Sequence, residues 1–126
     1  MYTQKTLDIF RNPSNAGGLQ GADGVAKKID KTFGDVFKFY LKIDNNAVKQ
    51  ARFKTMGCVV SIAASSVITE LVAEKTLDEV KELDESDVLE VLGEVPHERF
   101  CLLTTAIDTL KEAVQEYYKK LEKEKQ

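Results

Sequence analysis

ARFKTMGCVVSIAASSVITE, residues Ala51–Glu70, carries a strand pattern and a helix pattern that meet at one thiol. Ala51, Phe53 and Thr55 alternate with Arg52, Lys54 and Met56 at the period of two that a half-buried strand requires. Beyond Cys58 the residues are small and apolar, with no charge until Glu70. Gly57, between the two patterns, lets the backbone turn sharply from sheet to helix, because it has no side chain to resist the turn. Cys58 is therefore expected near a helix N-terminus. Unpaired amides and the helix dipole at that end favour a thiolate, the form that binds metal or attacks sulfur. A free cysteine is also a small hydrophobe that is commonly buried. The position alone leaves both roles open.

Upstream, Phe37, Phe39, Leu41 and Ile43 face one side of a strand over Val36–Ile43, while Lys38, Tyr40 and Lys42 face a wet or partner-facing side. Asp44-Asn45-Asn46 supplies residues that tolerate a tight hairpin, which leads into the strand at Ala47–Met56. Val25–Asp30 is a first strand with weaker alternation. Thr3–Arg11 suits a short helix ended by Asn12-Pro13, since a residue before proline avoids the helical region, and Ser14–Gly24 reads as loop.

Downstream, Thr76-Leu77-Asp78-Glu79 has the spacing of a capping box opening a short helix over Leu77–Leu83. Ser86 or Asp87 is expected to cap a second helix that ends at Gly93. The last helix starts near Arg99 and carries Leu103, Ala106, Ile107, Leu110, Ala113, Val114, Tyr117 and Leu121 as one apolar stripe. Its tail from Lys119 is read as a frayed, solvated end. Strands and helices in separate blocks give an α+β fold. The expected form is a small antiparallel three-stranded sheet, with an N-terminal helix and several C-terminal helices packed on it, in one domain spanning residues 1–126.

At 126 residues, one hydrophobic core is the expectation. Eighteen basic against 21 acidic residues, a net charge of −3, give no overall field to recruit nucleic acid. No signal segment or long apolar span points to a membrane. A cytoplasmic protein follows, and its two cysteines read as free thiols or ligands in a reducing compartment. His97 is the single histidine and there is no CxxC pair. Neither a Cys–His nucleophile pair nor a four-ligand zinc site can be assembled, and no phosphate loop is visible, so the chain is not read as an enzyme.

Ala51-Arg52-Phe53-Lys54-Thr55, Gly57-Cys58, Ile62-Ala63, Ser65-Ser66 and Thr69-Glu70, together with Asp8–Gly17 and Ala22-Asp23-Gly24, resemble the signature of a known family. It is the U-type iron-sulfur cluster assembly scaffolds, which comprise the NifU-like N-terminal domain and IscU. The resemblance implies that fold and a site where three cysteines, an aspartate and a histidine hold a nascent 2Fe-2S cluster, iron or zinc. Carried over position by position, it places Asp35 on the family aspartate and Cys58 on the second cysteine. The first cysteine's C-G-D turn is here Phe33-Gly34-Asp35, so that thiol is replaced. For the third, a gapless match of Ala106-Ile107-Asp108-Thr109-Leu110-Lys111 to A-E-D-A-I-K puts Cys101 on the histidine and Leu102 on the cysteine. Anchoring on the thiol instead makes Cys101 the third cysteine at the cost of a one-residue insertion.

The expected ligand set is thus Cys58, Cys101 and Asp35, with His97 as an occasional further ligand. Three protein donors are one short of a closed tetrahedral shell. A homodimer would bring two thiolates from each chain, whereas a monomer would leave the shell open. The resemblance implies a cysteine desulfurase as partner. It implies only weak docking of an Hsp70-type chaperone, because L-P-P-V-K is here Val95-Pro96-His97-Glu98-Arg99. Two alternatives accompany the scaffold reading. One is a degenerate paralogue that holds no metal or cluster and serves as a partner-binding module, its site filled by Phe33 and Leu102. The other is a sulfur carrier that accepts a persulfide on Cys58 or Cys101.

Overall fold

The structure is a computed structural model that describes residues 2–125; Met1 and Gln126 lie outside the described residues. The chain forms α1 (Gln4–Arg11), β1 (Gly24–Ile29), β2 (Val36–Asp44), β3 (Ala47–Met56), α2 (Val59–Val72), α3 (Leu77–Lys81), α4 (Glu85–Leu92) and α5 (Phe100–Glu124), with a 3-10 turn at His97–Arg99 ahead of α5. The sheet is an antiparallel meander in the order β1-β2-β3, so the α+β architecture expected from the sequence is the one observed.

Hairpin chemistry sets the register. Asn45 and Asn46 sit at φ 53° and 61°, the left-handed pair that a two-residue turn between twisted strands demands. From that turn Phe39 lies opposite Ala26 on one side and Phe53 on the other, and Leu41 opposite Ala51. All five side chains are buried. A register shift at Lys42/Ile43 accommodates one extra residue in β3, which returns Val48 to the core side opposite Ile43. Helices α2 and α5 cover this face and each other. Leu102, Leu103, Ala106 and Leu110 of α5 meet Val60, Ala63, Ala64 and Ile68 of α2 in one core cluster. Each fully buried leucine, isoleucine or valine among them contributes roughly 1.5–3 kcal/mol. Among the described residues no helix lies on the opposite face of the sheet, where the loop at Gly18 comes against Lys54 and Tyr40.

Helix α2 buries ten of its 14 residues, including four that carry hydroxyls. Ser65 and Thr69 donate to the carbonyls of Ser61 and Ser66 at 2.8 and 2.7 Å. Ser66 Oγ accepts from Ser14 N at 2.8 Å, and Thr69 Oγ1 accepts from the Asn15 side chain at 3.2 Å. These bonds dock the N-terminal loop. Ala16 then forms a parallel bridge beside Phe53, so the segment read as plain loop lines the outer edge of β3.

Three boundaries differ from expectation, the first being α3, which stops at Lys81 with Glu82 as its C-cap and does not reach Leu83. Helix α4 is capped by Asp84, not by Ser86 or Asp87: Asp84 accepts from the amides of Ser86 and Asp87, while Asp87 reaches back to the Asp84 amide. In a run of four polar residues the first able to complete a capping box takes the position. The tail of α5 stays helical to Glu124, with Lys119 paired to Glu116 at 3.3 Å. Among the described residues no helix is long and apolar enough to cross a membrane.

Candidate functional site

The end of the sheet where β1 turns into β2 gathers most of the residues singled out in the sequence. Cys58 is the N-cap of α2 in extended conformation, and its side chain makes no capping hydrogen bond. Its amide donates to Asp35 Oδ2 at 3.2 Å. Asp35, one residue ahead of β2, is buried, so a carboxylate from the edge of the sheet faces the amide end of the helix, where the dipole favours negative charge. Ser61, one turn into α2, donates to the Cys58 carbonyl at 2.9 Å and lies 3.8 Å from Cys58 Sγ. The thiol itself is half-buried, packed against the core yet open to one side.

Gly57 does its work here by absence of volume. It does not occupy the left-handed region, so the sharp turn expected of it is not the reason for glycine. A β-carbon at this position would run into the Asp35 carboxylate and the Ser61 hydroxyl. Glycine is what lets the carboxylate reach the start of the helix.

The loop from Asp30 to Asp35 is held by a side chain that the sequence did not single out. Asp30 is buried and its Oδ2 accepts from the amides of Thr32 and Phe33 at 3.1 and 3.0 Å. Its Oδ1 accepts from Thr105 Oγ1 of α5 at 2.7 Å. The Asp30 amide donates to the Asp35 carbonyl, and Gly34 N to the Asp30 carbonyl, both at 2.8 Å. The only local signal was an aspartate two residues before Thr32, a common turn arrangement; the bond to Thr105 spans 75 residues and has none.

Cys101 lies at the other end of this loop. It is half-buried and lines a shallow cavity with Asp30, Thr32, Thr105 and Asp108. Leu102, one residue on and about 100° around the helix, is fully buried in the core. Either way of matching the family's motif, Cys101 is the residue of this pair that faces the loop. Phe33 is not a core filler: it stays partly exposed at 37%, and the Arg99 guanidinium stacks on its ring 4.1 Å from the centroid, fastening the loop tip to the start of α5. His97 is exposed on the turn before α5.

The structure thus brings Asp35 and Cys58 together and sets Cys101 across the loop from them. Among the described residues no three histidine, cysteine, aspartate or glutamate side chains form a group able to hold a metal ion. Chemically, the arrangement offers one thiol and one carboxylate at a helix start, with a second thiol beyond a fastened loop.

The family model for the NifU-like N-terminal domain matches residues 1–124. The chain belongs to this family. It is 36% identical over 125 residues to the iron-sulfur cluster assembly scaffold protein IscU of Escherichia coli, covering 96% of this chain and 97% of that protein. It is 35% identical over 120 residues to an IscU scaffold of Archaeoglobus fulgidus, covering 95% and 78%. Among solved structures, a nitrogen-fixing NifU-like protein (N-terminal) from Brucella abortus superposes with a TM-score of 0.77, covering 94% of each chain at 20% identity. That likeness concerns the fold.

Proposed function

We propose that this chain is a scaffold for iron-sulfur cluster assembly that receives iron or a nascent 2Fe-2S cluster at Cys58 and Asp35, with Cys101 joining from α5. It is not an enzyme; the cluster is its cargo. The observation that carries the site assignment is the Asp35 carboxylate held against the Cys58 amide through the space left by Gly57. The relatives that bear the scaffold name align over nearly the whole chain, so the role belongs to the domain and not to one motif. Thiolates are soft donors suited to ferric iron and sulfide, and a carboxylate is a harder, more readily exchanged one. Such a mixed set suits cargo that must leave; the same donors would also accept zinc. Completing the shell takes a shift of the Asp30–Asp35 loop or a second copy with its own thiols, and in the dimeric case cluster uptake scales with dimer content. A cysteine desulfurase supplying sulfur, and a cytoplasmic setting that keeps both thiols reduced, complete the proposal.

A second reading is favoured by one observation: Leu102 is core and Phe33 is stacked on Arg99, leaving no third donor beside Cys58. The chain would then be a partner-binding module without cargo. Anaerobic reconstitution with ferrous iron and sulfide separates the two. Visible charge-transfer bands with matched iron and sulfide, abolished by Cys58→Ser and weakened by Cys101→Ser and Asp35→Ala, support the scaffold. A colourless, metal-free and folded protein supports the module.

A further inference from the structure

The helix-free face of the sheet, left uncovered apart from the loop at Gly18 against Lys54 and Tyr40, carries a charge pattern that nothing in the site explains. The register places Lys27 opposite Lys38 and Lys38 opposite Lys54, so three lysines form one row across all three strands. Like charges directly opposite in a sheet destabilise it, and among the described residues none of the three enters an ion pair. Lys38 and Lys54 gain only partial relief from the ring of Tyr40, at 5.1 and 6.0 Å from its centroid. The adjacent row is apolar: Ile29 opposite Val36 opposite Met56, with Ile29 60% and Met56 74% exposed. A lysine row beside an apolar row asks for a surface that is acidic and apolar together, which is the character of a protein and not of a nucleic acid.

The same molecule presents that surface on its far side. From Glu70 to Glu98 the chain holds eleven acidic residues against two lysines. There, a groove of about 590 Å³ has Leu71, Val80, Leu83 and Val91 among its lining, with Glu82 and Glu90 beside them. Helix α4 packs on α1, α2 and α5, so the groove lies on the helical side, away from the uncovered face. We infer that the uncovered face of the sheet docks the acidic groove of α3 and α4 of a second copy of this chain. Because the two surfaces differ, the contact is head-to-tail and extends into open chains of molecules. The apolar row borders Gly57 and Cys58, so each docked copy lies beside the next molecule's candidate site.

Sedimentation velocity on the metal-free protein tests this apart from any cluster chemistry. At low ionic strength the sedimentation coefficient is expected to rise with protein concentration and to fall back to the monomer value in high salt. Lys38→Glu/Lys54→Glu and Glu82→Lys/Glu90→Lys should each be monomeric alone and associate again when mixed, while the milder Lys38→Gln/Lys54→Gln associates more weakly than the wild type. Unchanged circular dichroism keeps these outcomes free of misfolding. Wild-type protein that stays monomeric at every concentration in low salt overturns the inference. So does association that survives in the Glu82→Lys/Glu90→Lys variant, since that would be a dimer built through another surface, the cysteine site included.

Discussion

Helices α1, α3 and α4 on one side, and α2 and α5 on the other, begin in two different ways. The first three open with a side chain bonded to the free amides: Thr3 for α1, Thr76 with Glu79 for α3, Asp84 with Asp87 for α4. The other two open on Cys58 and Arg99 with no side-chain cap, and these are the two helices that carry the thiols. Helix α5 continues from the 3-10 turn, where the His97 carbonyl accepts from the Phe100 amide, so the start of α2 is the one where the chain leaves a side-chain cap out. At Cys58 the helix amides face a carboxylate from another element instead. A local rule broken at one helix start, and kept at the others, marks where stability has been given up for chemistry.

Filling the space at the open start of α2 should break the contrast most severely. Gly57→Ala puts a methyl group where Asp35 and Ser61 now sit, and overpacking of that kind costs roughly 1–3 kcal/mol. Denaturant unfolding is expected to show a loss near 2 kcal/mol, with metal uptake lost in the still-folded fraction. A Gly57→Ala protein of wild-type stability would mean that the Asp35 carboxylate is free to move away, and that the close approach is incidental.

How far this contrast could be read beforehand depends on the range of the interactions behind it. The turn at Asn45-Asn46, the box at Thr76 and the thiol at a strand-to-helix junction are local, and each was legible. Gly57 was legible as a glycine, but the reason for it was not, because the nearest of the atoms that demand it belongs to Asp35, which is 22 residues away in the sequence. Asp30 gives little signal along the chain because its bond to Thr105 exists only once α5 is laid on the sheet. Along the chain Lys27, Lys38 and Lys54 belong to three separate strand patterns. Placing Lys27, Lys38 and Lys54 abreast requires the register of both strand pairs, which depends on the hairpin and on the bulge at Lys42. Cys58 stands out at the junction of two local patterns and Asp35 only through the resemblance, and their contact is geometry that no pattern along the chain contains.

A capped start should respond to acid in a way that depends on its cap. The amide and hydroxyl of Thr76 hold the Glu79 carboxyl below its ordinary range, and the hydroxyl of Ser86 first, then the Asp87 amide, do the same for Asp84. A lowered carboxyl stabilises the fold above its unfolded pKa, and that contribution is lost as pH falls through the lower, folded value. Amide protection factors in α3 and α4, which are exchange rates corrected for the intrinsic pH dependence, are therefore expected to fall as pH drops below about 4. Thr76→Ala should cost about 1 kcal/mol at neutral pH and move the Glu79 titration back up, as read by NMR. If Glu79 titrates at the same pH in the variant, the capping box is not what holds it.

The smallest change sharpens the contrast by reversing it. Serine at position 58 keeps the size of the cysteine but offers a hydroxyl to the unbonded amides at the start of α2, as Thr3 and Thr76 do at theirs. Cys58→Ser should therefore raise the unfolding free energy by a few tenths to about 1 kcal/mol, while removing the thiolate that any cargo needs. Stability and uptake then move in opposite directions in one protein, an outcome that a purely packed cysteine cannot produce, since trading a core sulfur for an oxygen lowers stability. A melting temperature that falls in Cys58→Ser would place the thiol with the core and make the missing cap an accident of packing. One that rises would show that the open helix start is held open at a measurable cost, and that the thiol is what it is kept for.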